Sequence, residues 1–345
     1  MATQREVAER AGVSFITVSR VINGRGNVKK ETRLRIERAI KELGYYPNSQ
    51  GRALNSGRTA IIGVIAPVVS TRSLEGDLYF SGLLEGVELA CRKHRYDMLL
   101  STQRIIDRDF DYLRLFSQKK VDGTILFGDY MLSKEDTARI ERERIPIVVV
   151  GDRPVSPAIG WVDTDNEKGG YQSALKLIGQ GHRRIAFIGV NNRNANIADR
   201  LSGVRRACAE KGLPFLDKDL FTVDMGTDPG PGIIGELFAP GDRATAAVCG
   251  TDLIAIGLLN AARERSFHVP GDMSIIGFDG IQMIRYTNPP ISSNRQPLSE
   301  MGFTAAEFLF RHIERPEASR KHKVFLLEEI KGQSVSPPRR HRPFS

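Results

Sequence analysis

The sequence predicts an α/β protein with a small helical head and a two-lobed body of parallel sheets. Three observations predict it. Residues 3–23 have the layout of a helix-turn-helix. From Ala60 onward, apolar strand-like runs alternate with helical stretches. Charge is uneven: residues 1–60 carry +7 and residues 331–345 carry +4 of the total +9, which leaves 61–330 at −2. A basic head on a near-neutral body is the electrostatic footprint of a phosphate-backbone binder.

In the head, Thr3 and Glu6 have capping-box spacing, so a helix can start at Gln4. Val7, Ala8 and Ala11 give it one small apolar face. Gly12 suits the tight turn because it tolerates positive φ. Ser14 can N-cap a second helix whose Val18, Val21 and Ile22 fall on one side. That leaves Phe15, Ile16 and Arg20 outward, in the first turn and beyond, where a recognition helix meets base edges. A third helix is expected over Lys30–Leu43, with Leu34, Ile36, Ala39, Ile40 and Leu43 as its stripe and Gly44 as its stop. Spacing alone leaves an ordinary surface helical hairpin open.

The strand-like runs are Ile61–Ala66, Met98–Ser101, Gly123–Phe127, Ile145–Val150, Ile185–Val190, Thr245–Cys249 and Ser274–Phe278. Helical stretches such as Leu83–Arg92, Tyr171–Ile178, Arg200–Lys211 and Leu253–Arg265 separate them. Continuous apolar strands alternating with helices imply parallel sheets covered on both faces. They are too many for one compact sheet, so two Rossmann-like lobes follow. Ligands of such folds sit beyond the carboxyl ends of strands, which places the expected site in a cleft between lobes.

Several chemistries are disfavoured. Cys91, Cys208 and Cys249 are far apart with no CxxC, which fits a reduced compartment rather than a disulfide frame or zinc site. The polar start lacks a signal-type apolar region, and no apolar run reaches membrane-spanning length, so a cytoplasmic protein without a membrane partner is expected. Gly230-Pro231-Gly232-Ile233-Ile234-Gly235 is formally a dinucleotide loop, but Pro231 lacks the N–H that pyrophosphate would need. No catalytic set accompanies the six histidines, His182 reads as structural, and no cofactor is expected.

The run Glu6 to Ser14, then Thr17-Val18-Ser19-Arg20-Val21-Ile22-Asn23-Gly24, resembles the head of the lactose-repressor family of bacterial transcription regulators. In the body, Asp163 to Gly170, Gly181 to Gly189, Arg200 to Gly203, Cys249 to Asp252, Gly277 to Asp279 and Pro289 to Pro297 resemble the same family, so the likeness spans nearly all of residues 3–330. The resemblance implies a periplasmic-binding-protein-like body. It implies a repressor that binds near-palindromic double-stranded operator DNA as a homodimer, under allosteric control by a small molecule, a sugar or related metabolite, held between the lobes.

It also implies roles for particular residues. Thr3, Arg5, Ser14, Phe15, Ile16, Thr17, Ser19, Arg20, Asn23 and Asn27 become the DNA-contacting set of the head, and Leu54 the apolar wedge of a hinge helix in the minor groove. Lys29 stands where the family has a Ser or Thr cap, and Gly51 where it has Ala. Asp165, Arg200, Thr251, Asp279 and Gln296 match effector positions, with Phe80 a candidate to stack on a sugar face. Arg200 has a fork suited to hydroxyls or a carboxylate, and Asp279 can accept two hydroxyl hydrogen bonds. Thr251 and Gly151 depart from the family pattern, which leaves the ligand's identity open.

The expected division is a head over 1–46, a hinge and linker over 47–59, a body over 60–332 and a disordered tail over 333–345. Within the body, the lobes are expected at 60–160 with 295–322, and at 161–294 with 323–332. Two other functions compete. A periplasmic sugar-binding protein shares the body but lacks the basic head, and a nucleotide-dependent enzyme is opposed by the proline-broken glycine loop.

Overall fold

The structure, a computed structural model, describes residues 2–22, 26–45, 57–68, 78–104, 110–128, 132–154, 156–190, 195–223, 230–237 and 243–339. The head packs α1 (Gln4–Ala11), α2 (Phe15–Ile22) and α3 (Lys30–Leu43) around Val7, Ala8, Ala11, Val18, Val21, Ile36 and Ala39. Leu34 corrects the expected stripe: it is half exposed, because its spacing to Ile36 puts it off the face shared by Ile36, Ala39 and Leu43. Lys29 starts α3 without a side-chain cap, and Gly44 ends it in the left-handed region. The hinge residues Gly51 and Leu54 lie outside the described residues, as does Asn23.

The first lobe is built from β1 (Ile61–Val68), α4 (Leu78–His94), β2 (Asp97–Arg104), α5 (Arg114–Ser117), β3 (Gly123–Phe127), α6 (Lys134–Glu143), β4 (Ile147–Val150) and β5 (Gly160–Thr164). The second takes α7 (Asn166–Gly179), β6 (Ile185–Val190), α8 (Ala195–Glu210), β7 (Leu220–Val223), α9 (Gly230–Leu237), β8 (Ala246–Cys249), α10 (Asp252–Glu264), β9 (Ser274–Asp279) and β10 (Ser292–Arg295). The chain then returns through α11 (Leu298–Glu314) and β11 (His322–Phe325) of the first lobe and closes with β12 (Glu328–Ile330) of the second. The sheet orders are β11-β5-β4-β3-β1-β2 and β12-β10-β9-β8-β6-β7. Every described pairing is parallel except β10 with β12.

Three short segments therefore join the lobes, near residues 165, 296 and 326. This moves the expected boundaries: β5 and β11 belong to the first lobe, whereas the sequence reading had assigned them largely to the second. Neither strand is a long apolar run, so neither stood out. The disordered tail is also corrected over residues 333–339. Ser334 is fully buried, donating to the Ile275 carbonyl at 2.6 Å and accepting from the Ser292 N–H at 2.9 Å. Val335 packs on the second-lobe core. His182 holds the Ser336 carbonyl at 3.0 Å and the Thr245 hydroxyl at 2.8 Å, a structural role as expected. Ser and Val in this stretch satisfy buried partners that composition does not reveal.

The same device brings helices together in each lobe. In the first, a Cβ on Gly86 would collide with the Ser299 carbonyl and one on Gly302 with the Leu83 carbonyl. In the second, Gly170 meets the Arg200 carbonyl and Gly203 the Glu167 carbonyl in the same way. Reciprocal glycines let α4 cross α11, and α7 cross α8, backbone against backbone. Gly302→Ala is expected to cost about 2–3 kcal/mol or more, since overpacking forces the helices apart; urea unfolding of the variant measures it.

His312, on α11, is buried, and neither ring nitrogen has a hydrogen-bond partner among the described residues. Burial, helped by the nearby Arg320 charge, pushes its pKa from the ordinary 6.5 down to about 4. The unfolded chain binds the proton more readily, so this group's contribution is complete above pH 6.5 and is lost as the pH falls toward 4. Denaturation curves from pH 7 to pH 4 are expected to show a shallower acid loss for His312→Leu than for the wild type.

Candidate nucleic-acid interface and interlobe site

In the head, the Thr3 hydroxyl accepts the Glu6 N–H at 3.3 Å while the Glu6 carboxylate accepts the Thr3 N–H at 2.6 Å. The Thr3 N–H and the Thr3 hydroxyl, both donating to the Glu6 carboxylate, hold its pKa below the usual carboxylate range. Gly12, at φ 62°, makes the turn. The Ser14 hydroxyl accepts the Thr17 N–H at 3.2 Å and starts α2. With Val18 and Val21 turned into the core, Phe15 (48% exposed) and Ile16 (62%) stand out on a polar surface. Arg5, Arg20 and Asn27 are exposed, and Thr17 and Ser19 are half-buried. The Arg20 side chain runs past Gly26. Arg10 and Glu42, 2.8 Å apart, tie α1 to α3 behind this face.

Between the lobes, buried polar side chains form one connected network. Arg200, on α8, donates from Nε to Asn166 Oδ1 at 2.9 Å and from Nη1 to the Gly250 carbonyl. Its Nη1 stands 3.6 Å from Asp279 Oδ1, and its guanidinium lies 3.6 Å from the Phe278 ring centroid. Gln296 donates to Asp279 Oδ1 at 2.8 Å and accepts the Thr164 hydroxyl at 3.1 Å, which spans the lobes. Asn166 donates to Asp163 and to Asn196 Oδ1, and Asn196 donates across to the Gly151 carbonyl at 2.6 Å. Arg153 grips Asp163 Oδ2 and the Thr164 carbonyl, both at 2.8 Å. Burial raises the Asp163 pKa, and the Thr164 N–H and Arg153 oppose the rise.

Arg200, Asp279 and Gln296, read from different runs of the sequence, thus meet. Thr251 does not join them: it caps α10 by accepting the Ile254 N–H at 3.2 Å, beside Gly250, whose carbonyl does join. Asp165 caps α7 through the Lys168 N–H at 3.1 Å and lines a separate cavity of about 80 Å³ with Lys168, Gln172, Leu326 and Leu327. Its neighbour Thr164 enters the network instead. Phe80 is core, stacked on Phe127 with centroids 6.2 Å apart. Sequence reading missed Arg153, Asp163, Thr164, Asn166 and Asn196. Of these, Asp163, Thr164 and Asn166 lie inside a run that resembled the family, but nothing in the run distinguishes inward from outward side chains.

Residues 3–48 match the profile described as bacterial regulatory proteins, lacI family, and residues 174–335 that of a periplasmic binding protein-like domain. Catabolite control protein A of Priestia megaterium is 32% identical over 312 residues, 90% of this chain and 92% of that protein. The chain belongs to the lacI family. The HTH-type transcriptional repressor PurR of Vibrio parahaemolyticus is 31% identical over 93% of this chain and 95% of its own length. Among solved structures, the transcriptional regulator CelR–cellobiose complex superposes with TM-score 0.72 at 28% identity, covering 97% of this chain and all of that one. A lacI-family regulator from Enterococcus faecium with bound ribose gives 0.70 at 26% identity over 80% of this chain and 99% of its own. The lac repressor dimer on operator with the anti-inducer ONPF shares the fold, with TM-score 0.82 at 22% identity over 97% and 99% of the two chains.

As a lacI-family member, this protein is a DNA-binding transcriptional regulator and not an enzyme. Among the described residues no helix is long and apolar enough to cross a membrane.

Removing Arg200 would take a donor from the Asn166 and Gly250 oxygens and a facing cation from the buried Asp279. Arg200→Ala is expected to destabilise the second lobe by about 3–5 kcal/mol, because breaking a buried ion pair by removing one partner is strongly destabilising. Arg200→Lys should recover only part, since an ammonium cannot reproduce the fork. Thermal unfolding of the two variants checks both values.

Proposed function

We propose that this protein is a homodimeric repressor of near-palindromic operators, acting in the cytoplasm, whose lobes close on a small carbohydrate that alters operator affinity. The observation that carries the proposal is the buried polar network joining the lobes through Arg200, Asp279, Gln296 and Thr164. A guanidinium, a carboxylate and an amide together match vicinal hydroxyls, which both donate and accept. Cellobiose and ribose, held by the similar regulators, are of that class. Phe80 and Asp165 contribute through the first-lobe core and the α7 cap rather than by direct contact, and Thr251 through the loop that presents Gly250.

In the head, Phe15 and Ile16 suit thymine methyls and Arg20 a guanine edge. Thr3, Arg5, Ser14, Thr17, Ser19, Asn23 and Asn27 are assigned to phosphates, as polar groups that position rather than specify. One head reads only a few base pairs, so two-fold pairing supplies the second half-site. Leu54 is assigned to wedge the operator centre, linking head pairing to the spacing of the first lobes. Ligand and DNA then share one equilibrium, with a coupling of about 1–3 kcal/mol.

Selection from random duplex DNA should return a palindrome, and anisotropy titrations on that site test the assignments. Arg20→Ala is expected to lose about 1–3 kcal/mol and to relax preference at one base position. Equal weakening on every sequence would make Arg20 a phosphate contact only. Affinity should fall steeply with added salt, as counterion release from a +7 head requires. A flat salt dependence would contradict the electrostatic reading.

A further inference from the structure

Asp279 sits at φ 111°, a region that residues with a Cβ rarely occupy and that functional sites exploit. Its neighbour Gly280 is also left-handed, at φ 72°, and a Cβ there would run into Arg295. The turn is gripped from behind by Asp252, the first residue of α10, which is fully buried. One carboxylate oxygen accepts the Ile281 N–H at 2.8 Å, and the other accepts the Ser293 hydroxyl at 2.6 Å. The Gly280 backbone also hydrogen-bonds to it. Gly277 makes room, since a Cβ at that position would overlap the Asp252 carboxylate. One side chain therefore joins α10 to β9, which ends at Asp279, and to β10, which leads into Gln296.

We propose that Asp252 is a positioning residue of the cleft: without touching a ligand, it holds the strained turn that sets the Asp279 carboxylate against Gln296 and Arg200. The proposal deepens the effector reading and rests on it. The Asp252 and Asp279 carboxylates act on each other, and Arg200 faces Asp279. Burial, together with the charge of Asp279, raises the Asp252 pKa. The three bonds that Asp252 accepts are those that stabilise its ionised form.

Carboxyl carbon NMR on protein labelled at aspartate Cγ tests this directly. The Asp279 resonance is assigned by its loss in Asp279→Asn, and Asp219, bound to Arg184 elsewhere in the second lobe, serves as the control. In Asp252→Asn and Ser293→Ala the Asp279 resonance and its titration midpoint should both move, more for Asp252→Asn, while Asp219 stays in place. A lower melting temperature with the Asp279 signal and midpoint unmoved would show a purely structural role and overturn the proposal. Asp252→Ala, if it folds, should give the largest displacement. The readout uses no sugar. A protein whose melting temperature ignores cellobiose and D-ribose would therefore count against those effectors without changing the carboxylate result.

Discussion

The contact on which the rest of the body depends is the guanidinium of Arg200. It lies on the Phe278 ring and donates to Asn166 and Gly250, with Asp279 3.6 Å away. A buried cation is tolerated only when it is partnered, and here the partners come from three separate segments of the second lobe. Two residues of the network sit where the chain crosses between lobes. Asn166 opens α7 immediately after one crossover, and Gln296, which bridges Asp279 to Thr164, lies on another. The charge that organises the second lobe therefore also sets how that lobe meets the first. Asn196 adds a second link to the Gly151 carbonyl. Under the proposed function, a ligand with hydroxyl groups competes for these same donors and acceptors, which makes lobe closure and ligand binding one event.

Rigid lobes are needed for that event to reach the head. Each lobe crosses two helices through reciprocal glycines, so neither can absorb strain by sliding its helix pair. Each sheet is covered by apolar clusters on both faces. The lobes are joined by three short crossovers. The residues that enter the first lobe from the head side are anchored to it: Thr59 and Ala60 donate to the Asp122 carboxylate, and Arg58 donates to the Ile313 carbonyl at 3.0 Å. Movement of the first lobe is thereby carried to the end of the linker.

Much of this was legible in the sequence because the signals were local or strongly apolar. The capping pair Thr3 and Glu6, the turn at Gly12 and the buried Val18 and Val21 appear where spacing put them. The long apolar strands read correctly for the same reason. Strands β10, β11 and β12 did not: Ser292-Ser293-Asn294-Arg295 is polar on both faces, and its partners are fixed by the chain's return rather than by periodicity. Arg200, Asp279 and Gln296 were found through resemblance. Thr164 and Asp165 show the limit of that route: Thr164 bonds Gln296 while Asp165 caps α7, and only the fold separates the roles of these adjacent residues. The ordered stretch at 333–339 was hidden by its composition, since its stability comes from partners more than forty residues away.

The central claim is that bonds between the lobes set operator affinity. Asn196→Ala tests it most directly, because it removes the hydrogen bond from the second lobe to Gly151 and lies in neither the head nor the linker. The measurement is the dissociation constant of the variant for the selected operator and for a scrambled duplex, against wild type at one salt concentration. The account predicts a change of about five-fold or more on the operator, the lower end of typical coupling energies, with the scrambled duplex unchanged. Identical constants for variant and wild type on the operator, or equal changes on both duplexes, would contradict it.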